Sequence, residues 1–197
     1  MRTVKIKITG TSPLLQSCDR LADPLDKATI AHKKLTAIRG KAKTDDIIKE
    51  IAKSQYINSI YWDDKIGVVI PTVNLKKCLE SGAKLSRNGD KVRKGVMMFD
   101  ENVALEYGEK LTRDQLWDAG NKYLDKRSVV VGQSKVMCYR PKFTDWSLIV
   151  EIHYDPDIIE KDWIIDYLNA AGSYIGLGGF RPEKNGMFGR FEASEVK

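Results

Sequence analysis

The residues best equipped for chemistry lie in the last quarter of the chain, in Gly176-Leu177-Gly178-Gly179-Phe180-Arg181-Pro182-Glu183-Lys184-Asn185-Gly186-Met187-Phe188-Gly189-Arg190-Phe191. Five glycines and three cations (Arg181, Lys184 and Arg190) fall within these sixteen positions. Glycine admits positive φ and lets another molecule approach backbone N–H groups closely. Consecutive free N–H groups form a concave anion site, and phosphate is the anion such loops commonly meet. Two readings follow from the residues: a phosphate cradle centred on Gly176, Gly178 and Gly179, or a turn that only reverses the chain.

Residues suited to bond-breaking are few. His153 lies in the apolar run Ile149-Val150-Glu151-Ile152-His153-Tyr154, which points to a structural role. His32 stands beside Lys33 and Lys34, where neighbouring cations lower an imidazole pKa, and it is the candidate for a catalytic base. Asp19, Asp23 and Asp26 follow the first strand, and capping explains Asp23. Cys18, Cys78 and Cys138 are far apart, with neither zinc-ligand spacing nor a disulfide pattern, as in a reducing cytosol. No Ser-His-Asp order, Walker loop or metal-ligand spacing occurs, so no catalytic residue is assigned and no cofactor or metal is expected.

The charge distribution supplies a second strand of argument. Among 197 residues, 33 Lys and Arg face 27 Asp and Glu, a net charge of +6. The cations are segregated. Residues 31–43 carry Lys33, Lys34, Arg39, Lys41 and Lys43 and no acid. Residues 71–94 carry Lys76, Lys77, Lys84, Arg87, Lys91, Arg93 and Lys94 against Glu80 and Asp90, and residues 126–142 carry Lys126, Arg127, Lys135, Arg140 and Lys142 with no acid. Three basic segments separated by acidic ones predict a stripe on one face, suited to a polyanion. No signal peptide and no membrane-length apolar run is apparent, so no membrane partner and a cytoplasmic location are expected.

The elements that must position these residues read as follows. Thr3–Thr9 alternates as a strand with Val4, Ile6 and Ile8 on one face. Asp23 as N-cap and Pro24 at the first position predict a helix over about 24–39, and Thr44 caps a second with Ile47, Ile48 and Ile51 as its buried stripe. A hairpin spans about 60–70. Pro71 opens a helix with Leu75, Leu79 and Ala83 inward and Lys76, Lys77 and Lys84 outward. A loop over Ser86–Asp90, strands within 95–107, a helix from Thr112 to about Gly120 and a long strand segment over 128–139 broken at Gly132 follow. Leu148–Tyr154 reads as a buried strand, 161–174 as an amphipathic helix with Trp163, Ile164, Tyr167, Leu168 and Ala171 inward, and 190–196 as the last strand. Irregular alternation of strands and helices predicts α+β with a mainly antiparallel sheet.

Three features occur in order: the first strand ending at Gly10, Ile70-Pro71-Thr72-Val73-Asn74-Leu75-Lys76 at a strand-to-helix step, and Gly176-Leu177-Gly178-Gly179 followed by Gly186-Met187-Phe188-Gly189-Arg190-Phe191. Together they resemble the RAMP superfamily of CRISPR-associated proteins, most of all its Cas7-like backbone branch, and also uncharacterised phage and prophage proteins with the same glycine-rich ending. Those proteins usually carry glycine where Thr72 stands, and a slightly shorter spacer inside the last motif. The matching motifs cover roughly a fifth of the chain.

The resemblance implies one RRM/ferredoxin-like domain over 1–197, with helices packed on one face of the sheet and a helical insertion at about 20–58. It implies a protein of phage type that binds single-stranded RNA or DNA in a basic groove without cutting it and self-associates along the strand. Lys76, Lys77, Lys84, Arg87, Lys91, Arg93 and Lys94 would contact phosphates, with Arg127, Lys135, Arg140 and Lys142 extending the track. Gly176, Gly178, Gly179, Arg181, Lys184 and Arg190 would clamp another position, with Tyr139, Phe180 and Phe188 as aromatic faces for bases. A metal-independent endoribonuclease using His32, and a phage inhibitor that binds a protein partner in a CRISPR–Cas complex, are the alternatives.

Overall fold

A computed structural model of the chain describes residues 1–196, with only the backbone at Val131. In chain order the elements are β1 Arg2–Gly10, β2 Leu14–Leu15, α1 Lys27–Ala37, α2 Asp45–Asn58, β3 Trp62–Asp63, β4 Gly67–Pro71, α3 Thr72–Lys84 and α4 Gly89–Gly95. They continue as β5 Val96–Met97, β6 Asn102–Ala104, α5 Arg113–Asp118, β7 Leu124–Val131, β8 Ser134–Phe143, β9 Ser147–Tyr154, α6 Lys161–Tyr174 and β10 Phe191–Glu195. The protein is α+β with mostly antiparallel strand pairing. It divides into two compact units: Met1–Leu15, Trp62–Lys110 and Phe143–Lys197 form the first, and Gln16–Tyr61 with Leu111–Lys142 the second.

The first unit is built on a four-stranded sheet in the order β10-β1-β9-β5. Its register follows from side-chain alternation: Val4, Ile6 and Ile8 of β1 stand opposite Ile152, Val150 and Leu148 of β9, and all six are buried. The face they create is apolar and is covered by α3 and α6. Leu75, Leu79 and Ala83 of α3 and Ile164, Tyr167, Leu168 and Ala171 of α6 are buried, as their helical spacing predicts. The two helices approach closely at Gly82, where an added methyl would overlap the Tyr167 carbonyl. Pro71 serves as the N-cap of α3, and the Thr72 hydroxyl donates to the Asp100 carbonyl at 2.5 Å. That bond gives the threonine a structural use at the head of α3. A smaller sheet, β3-β4-β6, contains the expected hairpin.

The second unit joins α1, α2 and α5 to the β7–β8 hairpin. The helical segment expected at about 20–58 lies here, together with residues 111–142 that no sequence signal linked to it. Tyr56 is fully buried, donates its hydroxyl to the Tyr123 carbonyl at 3.0 Å and packs edge-on against Trp117.

Several boundaries differ from expectation. Helix α1 begins at Lys27, because Asp26 accepts the Ala28 N–H at 2.6 Å and is the N-cap; Asp23 instead accepts the Leu25 N–H at 2.9 Å in a local turn. The buried residues of α2 are Ala52, Tyr56 and Asn58, while Ile48 is 44% exposed, so tertiary contact reads the far end of that helix. Residues 89–95, read partly as loop, form α4, with Val92 buried and Asp90 paired to Arg93 at 2.8 Å. The segment 128–139 is the turn-proximal part of a hairpin, with Val131 opposite Ser134 and Gly132 at φ +60° in the turn.

Candidate anion-binding cleft

Two segments of opposite sequence origin meet in the first unit. The outward stripe of α3 presents Asn74, Lys77, Ser81 and Lys84 at helical spacing. The glycine-rich segment places Arg181, the N-cap of the short 3₁₀ turn Pro182–Lys184, and Lys184, its last residue, across from it. Between them lies a cleft of about 490 Å³, floored by Cys78, Leu177 and the backbone of Gly176 and Gly178. Four cations line it against two carboxylates, Glu80 and Glu183. Lys84 pairs with Glu80 at 2.8 Å, and Arg181 with Glu183 at 2.6 Å. Among the described residues, Lys77 and Lys184 form no ion pair.

The loop amides behave differently from the cations. Gly176 donates to the Ala171 carbonyl at 2.8 Å, Leu177 to Gly189 at 2.9 Å and Gly179 to Leu15 at 2.7 Å. Gly186 donates to Arg181 at 2.9 Å and Gly189 to Pro13 at 2.8 Å. The expected cradle of free N–H groups at Gly176 and Gly179 is therefore not present, because the loop ties itself to β2 and the end of α6. Its glycines serve packing. Gly178 and Gly189 have φ of +74° and +71°, and a methyl on either would overlap a backbone carbonyl, Leu15 and Leu177 respectively. What the loop offers a ligand is the side chains of Arg181 and Lys184.

The remaining loop residues divide. Phe180 is 40% exposed, 6.0 Å from Phe188 between ring centroids, whereas Phe188 is buried and offers no open face to a base. Arg190 donates to the Ser173 carbonyl near the end of α6, and its N–H to the Ser12 hydroxyl at 2.9 Å, so its side chain closes the helix and does not line the cleft. The buried Cys78 thiol is pushed up to about 12 by desolvation and donates to the Gly176 carbonyl at 3.5 Å, which makes it a packing group and no nucleophile.

Outside the cleft but in the same unit, Lys76 is half-buried and Lys94 exposed. Arg87 holds φ +59° in the turn after α3. Lys91 lies 4.5 Å over the Trp163 ring, and Arg93 is held by Asp90. The second unit contains the other predicted nucleic-acid-facing residues. Arg127 makes a forked ion pair with Asp125, which is buried, so its charge is neutralised locally. Lys135 is exposed near the hairpin turn, while Arg140 and Lys142 are half-buried. Tyr139 lies under Lys126 at 5.7 Å and near Trp117. His32 shares a 2.9 Å hydrogen bond between Nδ1 and the Ser54 hydroxyl, joining α1 to α2, and burial lowers its pKa. His153 likewise bonds the Thr3 hydroxyl at 3.0 Å, consistent with the structural role read from its strand.

The cleft also contains residues that the sequence did not single out: Asn74, Ser81, Glu80 and Glu183. The three-residue and four-residue spacing of 74, 77, 81 and 84 was the available signal. Among the described residues, no group of three or more His, Cys, Asp and Glu could hold a metal ion. No helix among them is long and apolar enough to cross a membrane. No protein-family model matches the chain, and no curated protein matches it.

Proposed function

We propose that this protein is a non-catalytic, single-stranded nucleic-acid-binding protein of RAMP type, and that the cleft between α3 and the glycine-rich loop grips the phosphate backbone. The observation carrying the proposal is the convergence of Lys77 and Lys84 with Arg181 and Lys184 on one cleft, although roughly a hundred residues separate the pairs. Two of these cations are open, and lysine at a solvated wall neutralises phosphates without reading base sequence. The cleft volume of about 490 Å³ suits a nucleotide-sized segment of strand.

Support for an RRM/ferredoxin-like core comes from the first unit's sheet. Its order, β10-β1-β9-β5, puts the last strand beside the first and the first beside the third, with α3 and α6 as the two crossover helices. The protein would act in the cytoplasm, that of a host cell if phage-encoded, and line up along the strand it binds.

The test is fluorescence anisotropy with labelled single-stranded RNA and DNA oligonucleotides across a salt series. The expected outcome is tight binding at low salt with log K falling linearly with log salt. Charge reversal at Lys77 and Lys184 together should weaken every oligonucleotide alike by about tenfold or more. It should also flatten the slope by about 0.7 for each phosphate no longer neutralised. Absence of binding at low salt refutes the proposal, and a loss confined to one base sequence refutes the backbone-reading mode.

A further inference from the structure

The cleft is only half open to an anion, since two of its four cations are already held by carboxylates of their own elements. We infer that Glu183 is an internal competitor for the ligand phosphate, its carboxylate occupying the guanidinium face of Arg181 that an incoming phosphodiester would otherwise engage. This inference rests on the nucleic-acid reading above and adds the device that sets the affinity of the same site.

The geometry is specific. Arg181 directs Nε and Nη2 at one oxygen, Oε2 of Glu183, at 3.1 and 2.6 Å, and sends Nη1 to the Gly178 carbonyl at 3.0 Å. The carbonyl bond alone is enough to orient the guanidinium at the cleft wall. Glu183 is therefore dispensable for orientation, and what it contributes is negative charge on the fork that best fits the two free oxygens of a phosphodiester. The pair is wet, with side chains 31% and 35% exposed, so the carboxylate holds its partner weakly and can swing into solvent when another anion arrives. Lys77 and Lys184 supply the first attraction, and exchange at Arg181 completes the grip while the guanidinium stays in place. Glu80 stands in the same relation to Lys84 on the α3 wall, one helical turn away at 2.8 Å.

The experiment compares wild type, Glu183→Gln, Arg181→Gln and the double variant, binding a labelled single-stranded oligonucleotide over a salt series. Glu192→Gln is the control, since Glu192 is exposed on β10 outside the cleft and its change adds the same net charge. Glu183→Gln should tighten binding by about three- to tenfold and steepen the salt slope by about 0.7, as one more neutralised phosphate requires. Glu192→Gln should change affinity by less than about twofold through its distant, screened charge. The gain should vanish in the Arg181→Gln background. Equal effects of Glu183→Gln and Glu192→Gln, weaker binding by Glu183→Gln, or a gain that persists without Arg181 overturns the inference. Should Glu183→Gln alter the melting temperature, Glu80→Gln tests the same logic through Lys84, and it must also tighten binding. Wild-type binding with an unchanged Glu183→Gln variant sinks this inference alone, whereas no binding by either protein sinks the nucleic-acid reading with it.

Discussion

Replacing Gly178 by alanine separates two explanations for a glycine-rich loop. A glycine retained so that a ligand can approach leaves folding untouched when it gains a methyl, and harms only binding. A glycine retained for the protein's own packing does the reverse. The structure gives the second outcome at Gly178. Its φ of +74° costs an L residue about 1–2 kcal/mol, by the clash of Cβ with the following carbonyl. The methyl would also overlap the Leu15 carbonyl and crowd Leu14 Cδ1, so β2 or the loop must move. That movement breaks or stretches the 2.7 Å bond from the Gly179 N–H to the Leu15 carbonyl, a further cost of about 1 kcal/mol. The sum, about 2–3 kcal/mol, corresponds to a fall in Tm of about 6–9 °C for a chain of this size. Thermal unfolding followed by circular dichroism measures it directly. A Gly178→Ala protein melting within about 2 °C of wild type would show that the loop is not tied to β2 as described.

Two other outcomes are expected. The Cys78 thiol, pushed up to about 12 by burial, should resist a thiol reagent such as DTNB at mildly alkaline pH in the folded protein and react once denaturant unfolds it; reaction at the rate of a free thiol in the native state would contradict its placement. The lowered pKa of His32 means that the unfolded chain binds its proton more readily than the folded one. Stability from this group is thus present above the ordinary histidine value near 6.5 and is lost as pH falls from there through the lowered value. Wild type should lose stability over that window more steeply than His32→Asn, with oligonucleotide binding unaffected by the substitution; parallel pH profiles would remove the histidine from the account.

Local patterns were legible in the chain wherever one physical cause dominates. The alternation of Val4, Ile6 and Ile8 and the 3.6-residue stripe of Ile164, Tyr167, Leu168 and Ala171 each have a single buried face, so β1 and α6 could be placed within a residue or two. Pro71 announced the start of α3, and Thr112 the start of α5, because each acts on its own backbone neighbourhood.

Long-range decisions were beyond that reach. Whether Ile48 or Tyr56 faces inward on α2 depends on Trp117 and Tyr123, more than fifty residues away, and no periodicity records that choice. The grouping of 16–61 with 111–142 is of the same kind. Glycine composition announced an unusual loop, but a glycine needed for an incoming phosphate and one needed for a neighbouring carbonyl look identical until the carbonyl is placed. Charge counting identified cations correctly and could not tell a held one from an open one. Arg127 is held by Asp125 and Arg190 by a helix-end carbonyl, while Lys77 and Lys184 remain open. Tertiary structure alone makes that distinction, because hydrogen bonds and ion pairs act over a few ångströms, and only the packed chain decides whether an acid two or four residues away, or a carbonyl seventeen residues away, comes within that reach.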